Sequence, residues 1–251
     1  MTQYDNAALA AQYSSKERFD HPMSRMQYDT WLRILGDVRG KKILDLACGS
    51  GYCSRLLAQK GAIVTGVDIA SEMIKIAQTE ETRAPMGIRY LLGDAAAFDL
   101  HELFDCVTPT YLLHYAESED RLGAFTRGIA RHLKAGGRMV ALHAGVDPVV
   151  PFLPNAQSSS EWAIPLLAGE QPKEGSQVNL HLYDVNGKEV CPVITYYYWT
   201  KQTYVRNLLL AGLIDPTWVK VEMPEEVREI FPNWRDLDRL NTSCVLTATK
   251  I

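Results

Sequence analysis

The sequence predicts an α/β fold built on a doubly wound, largely parallel sheet. Two observations carry that expectation. From residue 41 to 145, apolar runs of strand type alternate with segments of helical period. The first run, KKILDLA (41–47), reads as a strand buried on both faces, as a parallel sheet requires. Right-handed crossovers turn such a series into one sheet whose ligands sit at the strand C-termini. The loops after each strand are therefore where a site is expected.

Each element has its own signal. YCSRLLAQKG (52–61) reads as a short helix ended by Gly61. AIVTGVD (62–68) is the second strand, and Ser71 is placed to cap the helix that begins SEMIKIAQ. IRYLL (88–92) and FDCVTPT (104–110) are the third and fourth strands. EDRLGAFTRGIARHLKAGG (119–137) is a helix with Leu122, Phe125, Ile129 and Leu133 on one face, closed by Gly136-Gly137. RMVALHAG (138–145) is the fifth strand. Residues 145–175 are rich in Pro, Ser and Gly and read as a lid or insertion. HLYDVNGKEVCPVITYYYW (181–199) reads as a hairpin around Asn186-Gly187. A helix at 203–213 and strands at 218–224 and 244–251 complete a sheet of seven strands. The predicted organisation is one domain: an N-terminal helical cover over the binding edge (1–40), a ligand-binding core (41–145), a cap or insertion with its hairpin after strand five (146–200), and the rest of the sheet (201–251).

Composition narrows the function. The chain has 251 residues, is 47% hydrophobic and carries a net charge of -4, so it can bury a sizeable core and has no basic footprint for nucleic acid. Its N-terminus lacks an apolar targeting core, and no run approaches 18 apolar residues, so neither a signal peptide nor a membrane span is expected. The five cysteines include no C-x-x-C pair and their odd number gives no disulfide framework, which favours a reducing, cytoplasmic setting. The histidines are scattered, so no metal site is expected.

The chemistry is concentrated in LDLACGSG. Gly49 and Gly51 match the first pair of a G-x-G-x-x-G dinucleotide loop, but position 54 is Ser. Asp45 stands four residues before Gly49, where a carboxylate repels a pyrophosphate and attracts an ammonium. Asp68 ends the second strand, where an acid accepts ribose hydroxyls. Asp94 follows the third strand, placed with the Ala95 backbone for an adenine amine. An ammonium, a ribose and an adenine without phosphate describe S-adenosylmethionine (SAM). The competing reading is a tight glycine turn with acids serving as helix caps.

LDLACGSG, GVD and GDA, in this order and spacing, resemble the motifs of class I SAM-dependent methyltransferases. The resemblance implies the Rossmann-like seven-stranded fold of that class, with SAM as cofactor and S-adenosylhomocysteine as product. Ala47 stands where that family more often has glycine. Tyr13 matches a tyrosine that members fold over the cofactor, Ile69 and Met73 should flank adenine and ribose, and Pro109 and Thr110 should line the methionine side. PMGIRYLLGDAAAFD, FDCVTPTYLLHYA and ITYYYWTKQTYVRNLLLAGL are similar to toxoflavin-synthase-like enzymes, which methylate ring nitrogens of small azaheterocycles. His114 stands where proline is expected in that group.

Methyl transfer needs alignment of the acceptor, and a base only where the acceptor keeps its proton. His114 and His143 follow strands four and five and are candidates for a base or a substrate contact, with a structural role the alternative for each. Tyr111 and Tyr115 share the loop with His114. In the run 196–199 one alternating pair packs on the core and the other can wall a flat ring; Tyr196 and Tyr198 are the expected wall. The leading expectation is a methyltransferase acting on a small planar heterocycle, with no nucleic-acid or membrane partner, as a monomer or homodimer. The alternatives are a small-molecule O- or C-methyltransferase, a nucleic-acid methyltransferase, disfavoured by Thr-Pro-Thr-Tyr after strand four, an NAD-dependent oxidoreductase, disfavoured by Ser54 and Asp45, and a SAM-binding protein without activity.

Overall fold

Alternating side chains on each strand feed two separate cores, one on each face of a central sheet. In the computed structural model, residues 2–14, 22–144, 172–180, 194–230 and 243–251 are described. Along the chain these give helix α1 (Ala7–Tyr13), α2 (Pro22–Leu35), strand β1 (Lys42–Leu46), α3 (Tyr52–Gln59), β2 (Ile63–Asp68), α4 (Ser71–Arg83), β3 (Arg89–Leu92), β4 (Phe104–Pro109), α5 (Glu119–His132) and β5 (Leu133–Ala144). Then follow β6 (Gln177–Leu180), β7 (Ile194–Tyr197), α6 (Lys201–Leu210), β8 (Leu213–Lys220), α7 (Glu225–Ile230) and β9 (Ser243–Lys250).

Seven strands form one sheet in the order β3-β2-β1-β4-β5-β9-β8, while β6 and β7 pair separately. The first five sheet strands are mutually parallel, and β9 runs antiparallel between β5 and β8. This is the class I methyltransferase arrangement. β1 pairs with β2 on one side and β4 on the other, so the strand order reverses there, and a crevice opens outside their C-terminal ends.

On one face, Ile43, Val64, Val140, Leu142 and Val245 pack with α2, α3 and α4. Trp31 is fully buried in that layer, and its indole N–H donates to the Val140 carbonyl at 3.1 Å. On the other face Leu44, Leu46, Val107, Met139 and Leu246 meet Leu122, Phe125 and Ile129 of α5 and Tyr204 and Leu208 of α6.

The structure departs from the sequence expectations in several places. α5 stops at His132, not at the Gly136-Gly137 pair, because Leu133 takes extended backbone and pairs with Phe104. The register then shifts before Cys106 meets Arg138, and Gly136 takes a left-handed turn in that irregularity. Ser71 is the first residue of α4 and not its cap. The acceptor for its N–H is the carboxylate of Asp5, 66 residues away, at 2.9 Å. The strand expected at 218–224 lies at Leu213–Lys220. The first forty residues divide: the segment before residue 15 lies beside the crevice, while α2 packs on a face of the sheet and, of its described residues, brings only Tyr28 to the cavity. The strands flanking the expected hairpin are paired, Gln177 with Tyr197 through Leu180 with Ile194. Its Asn186-Gly187 turn, most of the insertion that begins at 146, and Cys191 lie outside the described residues. The other four cysteines are buried free thiols.

Candidate functional site

The crevice above β1 and β4 is a cavity of about 640 Å³, within the usual range of small-molecule sites. Asp45, Asp68 and Asp94 all line it, and so do Ala47, Gly49, Ile69, Met73, Ala95, Thr110, Tyr111, Tyr115 and Tyr13. The acids come from the ends of three neighbouring strands, which is why residues so distant in sequence converge.

Asp45 is fully buried at the end of β1. It accepts from Ser54 Oγ at 2.6 Å and from Thr108 Oγ1 at 3.4 Å. Burial pushes its pKa up to about 7, against the pull of those hydroxyls. Position 54 is therefore a partner of the acid, not a failed third glycine. Asp68 closes β2 and binds the glycine corner directly: Gly49 N–H donates to Oδ2 at 2.8 Å and Ala70 N–H to Oδ1 at 2.8 Å. Burial raises its pKa as well. Each of its oxygens keeps a further lone pair for a ligand. Asp94 is less buried, and both its oxygens lie 2.8 Å from Nη2 of Arg121.

The two glycines do different things. Gly49 has a φ of +55° and open space where a Cβ would stand, so its backbone meets the cavity bare. Gly51 also has positive φ, but a Cβ there would come within 2.3 Å of the Tyr90 hydroxyl. Gly51 does not line the cavity; it is the left-handed cap residue of α3 and makes room for Tyr90. Ala47 and Tyr111, at φ 60° and 55°, carry left-handed backbone without being glycine. Such strain persists where surrounding structure over-determines it, often at sites. Tyr111 is held by its N–H bond to the Leu142 carbonyl at 2.7 Å.

Several expected residues stand away from the cavity lining. Pro109 is buried in β4 opposite Leu46. His114 and His143 sit behind the wall with ring centroids 5.4 Å apart. Burial lowers the pKa of both, for His143 to about 4, so both are neutral at ordinary pH. In the aromatic run the facing is opposite to the expected one: Tyr197 lines the cavity, while Tyr196 packs on His114 with ring centroids 5.4 Å apart. Trp199 is buried, donating its N–H to the Ala116 carbonyl. A four-residue strand gives no sequence sign of which face is inward.

The sequence reading missed Tyr4, Tyr28, Tyr52, Glu117 and Arg121 in the lining. Tyr4 packs edge-on to Tyr13 at 5.0 Å and hydrogen-bonds the Tyr115 hydroxyl at 2.9 Å, joining the N-terminal segment to the β4 loop. Arg121 had a legible signal, a basic residue just after the acidic first turn of α5. Among the described lining residues it is the sole cation, against Asp45, Asp68, Asp94 and Glu117. The cavity therefore suits a cationic or neutral ligand and repels a pyrophosphate. No group of three or more metal-ligating side chains occurs among the described residues, and no described helix is long and apolar enough to cross a membrane.

Sheet order and site position define a class I methyltransferase fold. Residues 43–137 match the family described as "Methyltransferase domain". A ubiquinone biosynthesis O-methyltransferase of Pseudomonas fluorescens is 31% identical over 111 residues, which are 43% of this chain and 47% of that protein. The chain thus spans about half the length of the first curated relatives it matches. A SAM-dependent methyltransferase of Mesorhizobium loti superposes with a TM-score of 0.64 at 20% identity, covering 92% of this chain and all of that one. The glycopeptide N-methyltransferase MtfA, solved with SAM, gives 0.60 at 18% identity over 92% of this chain and 94% of that one. At such identities these two structures speak for the fold.

Proposed function

We propose that this protein is a SAM-dependent methyltransferase acting on a small, flat acceptor. The observation that carries the reading is the convergence of Asp45, Asp68 and Asp94 on one phosphate-repelling cavity beside the bare backbone of Gly49. The donor set fits the cofactor: Asp45 toward its ammonium, Asp68 toward the ribose hydroxyls, Asp94 and Ala95 toward the adenine edge. Ile69 and Met73 flank the base and sugar, Thr110 borders the methionine side, and Tyr13 covers it. When bound, the cofactor supplies an activated methyl group on a sulfonium.

What the chain adds is orientation and the exclusion of water. Holding the acceptor in line can remove about 7–11 kcal/mol of barrier. Tyr111, Tyr115 and Tyr197 are the cavity-lining rings that a planar acceptor meets over the strand ends. A cavity this acidic disfavours anionic acceptors. The sequence likeness favours a ring nitrogen of an azaheterocycle as the methylated atom. A hydroxyl is the second reading, supported by the O-methyltransferase names of the relatives.

Calorimetric titration should give micromolar affinity for SAM and for S-adenosylhomocysteine; absence of binding by both ends the proposal. With an active acceptor in hand, methyl-labelled cofactor and NMR of the product separate nitrogen from oxygen transfer.

A further inference from the structure

Among the described residues, four buried polar side-chain atoms at and behind the cavity wall have no hydrogen-bond partner: Thr110 Oγ1, His114 Nδ1, His143 Nε2 and Trp218 Nε1. Such orphans are uncommon in folded proteins. These four are not scattered. Thr110 lines the cavity. His114 lies one side-chain layer behind it, its ring 4.6 Å from Tyr115. His143 follows at 5.4 Å from His114, and Trp218 at 5.7 Å from His143. They form a file running from the cavity into the end of the sheet.

The bonding of His143 fixes what the file asks for. Its Nδ1 lies 2.5 Å from the Ala144 carbonyl. A carbonyl can only accept, so Nδ1 carries the hydrogen. Burial keeps the ring neutral. Nε2 is then a bare lone pair that needs a donor.

We propose that Thr110, His114 and His143 form the acceptor subsite, and that His143 Nε2 accepts a hydrogen bond from an O–H or N–H of an uncharged aromatic acceptor. The proposal rests on the methyltransferase reading and names its substrate class: hydroxyarenes or azoles that still carry their hydrogen. The file is closed in this structure, with Tyr196 packed edge-on to His114 at 5.4 Å and Tyr204 edge-on to His143 at 4.6 Å. The charges agree with an uncharged acceptor, because Arg121, the one cation among the described lining residues, is engaged by Asp94. To reach the subsite an acceptor turns aside the layer formed by Tyr111 and Tyr115. Methyl transfer would break the S–CH3 bond, form the O–CH3 or N–CH3 bond and release the acceptor's hydrogen as a proton to solvent, leaving S-adenosylhomocysteine, so the methylated product has no hydrogen to donate and the same contact separates substrate from product.

The test uses the full chain, labelled with ¹⁵N-histidine and saturated with S-adenosylhomocysteine. Flat phenols and N–H azoles are added, each beside its O- or N-methylated counterpart, and the imidazole nitrogens are followed by NMR. The expected result is one Nδ1–H imidazole whose Nε2 signal moves with hydrogen-bearing compounds and stays with their methylated counterparts. His143→Phe should remove that signal and raise the acceptor KM about tenfold, one ordinary hydrogen bond, with S-adenosylhomocysteine affinity unchanged. The proposal is overturned if the methylated counterparts move the signal equally, if no compound moves it, or if the variant keeps its acceptor KM within about twofold, less than such a bond is worth. Failure of S-adenosylhomocysteine to bind the unaltered chain is a different result: it removes the methyltransferase reading and this proposal together.

Discussion

Asp45 is where burial and charge meet most directly. Its pKa stands at about 7 in the fold against 3.8 outside it, so the folded chain binds the extra proton between those values. Stability from this group is full below pH 4 and is lost as pH rises through about 7. Asp45→Asn should therefore gain stability over the parent steadily across that range, read as the difference in denaturant midpoints at pH 4.5 and 8. A cationic ligand reverses the preference, because it favours the carboxylate. SAM binding should tighten as pH rises toward 7 and release protons at pH 6, seen as a buffer-dependent enthalpy. At the glycine corner, Gly51→Ala drives a methyl into Tyr90 on a left-handed backbone. It should destabilise the fold by about 1–3 kcal/mol, measured by urea unfolding, although residue 51 does not line the cavity.

At the scale of elements, the N-terminal segment is tied to the core at two points: Asp5 at the start of α4 and Tyr4 at Tyr115. Asp5→Ala removes a capping acceptor worth about 1 kcal/mol. Because the same segment presents Tyr4 and Tyr13 to the cavity, SAM affinity should weaken several-fold while the melting temperature falls only slightly; calorimetry beside thermal unfolding separates the two. α2 has the opposite character. Trp31→Ala opens a hole in a packed layer and orphans its bond to Val140. A loss of about 3–5 kcal/mol is expected, with cofactor affinity per folded molecule unchanged.

Across the whole molecule, the sheet gathers carboxylates at one end. Among the described lining residues the acids exceed the one cation, and exposed charges are screened over about 8–10 Å near physiological salt. SAM carries one positive charge more than S-adenosylhomocysteine. Raising salt should therefore weaken SAM more than its product, by a few-fold between low and high ionic strength. Equal salt dependence for both would remove the electrostatic account of the cavity.

The sequence by itself determined the order of strands and helices in the core, the strand ends that border the cavity, and three acids that line it, because period, glycine corners and strand-end carboxylates are local signals. LDLACGSG, GVD and GDA announce themselves within a few residues each. Only the tertiary structure decided that Gly51 serves Tyr90, that Ser54 serves Asp45, that Asp5 caps α4, and that Tyr197 rather than Tyr196 faces the cavity. It also decided that His114 and His143 stand together, buried and neutral, behind the wall. Each of these is a contact between residues far apart in the chain, or a choice between the two faces of a short strand. Local pattern is silent on both, since what settles them is which surfaces the closed fold brings within a few ångströms and which it seals from water.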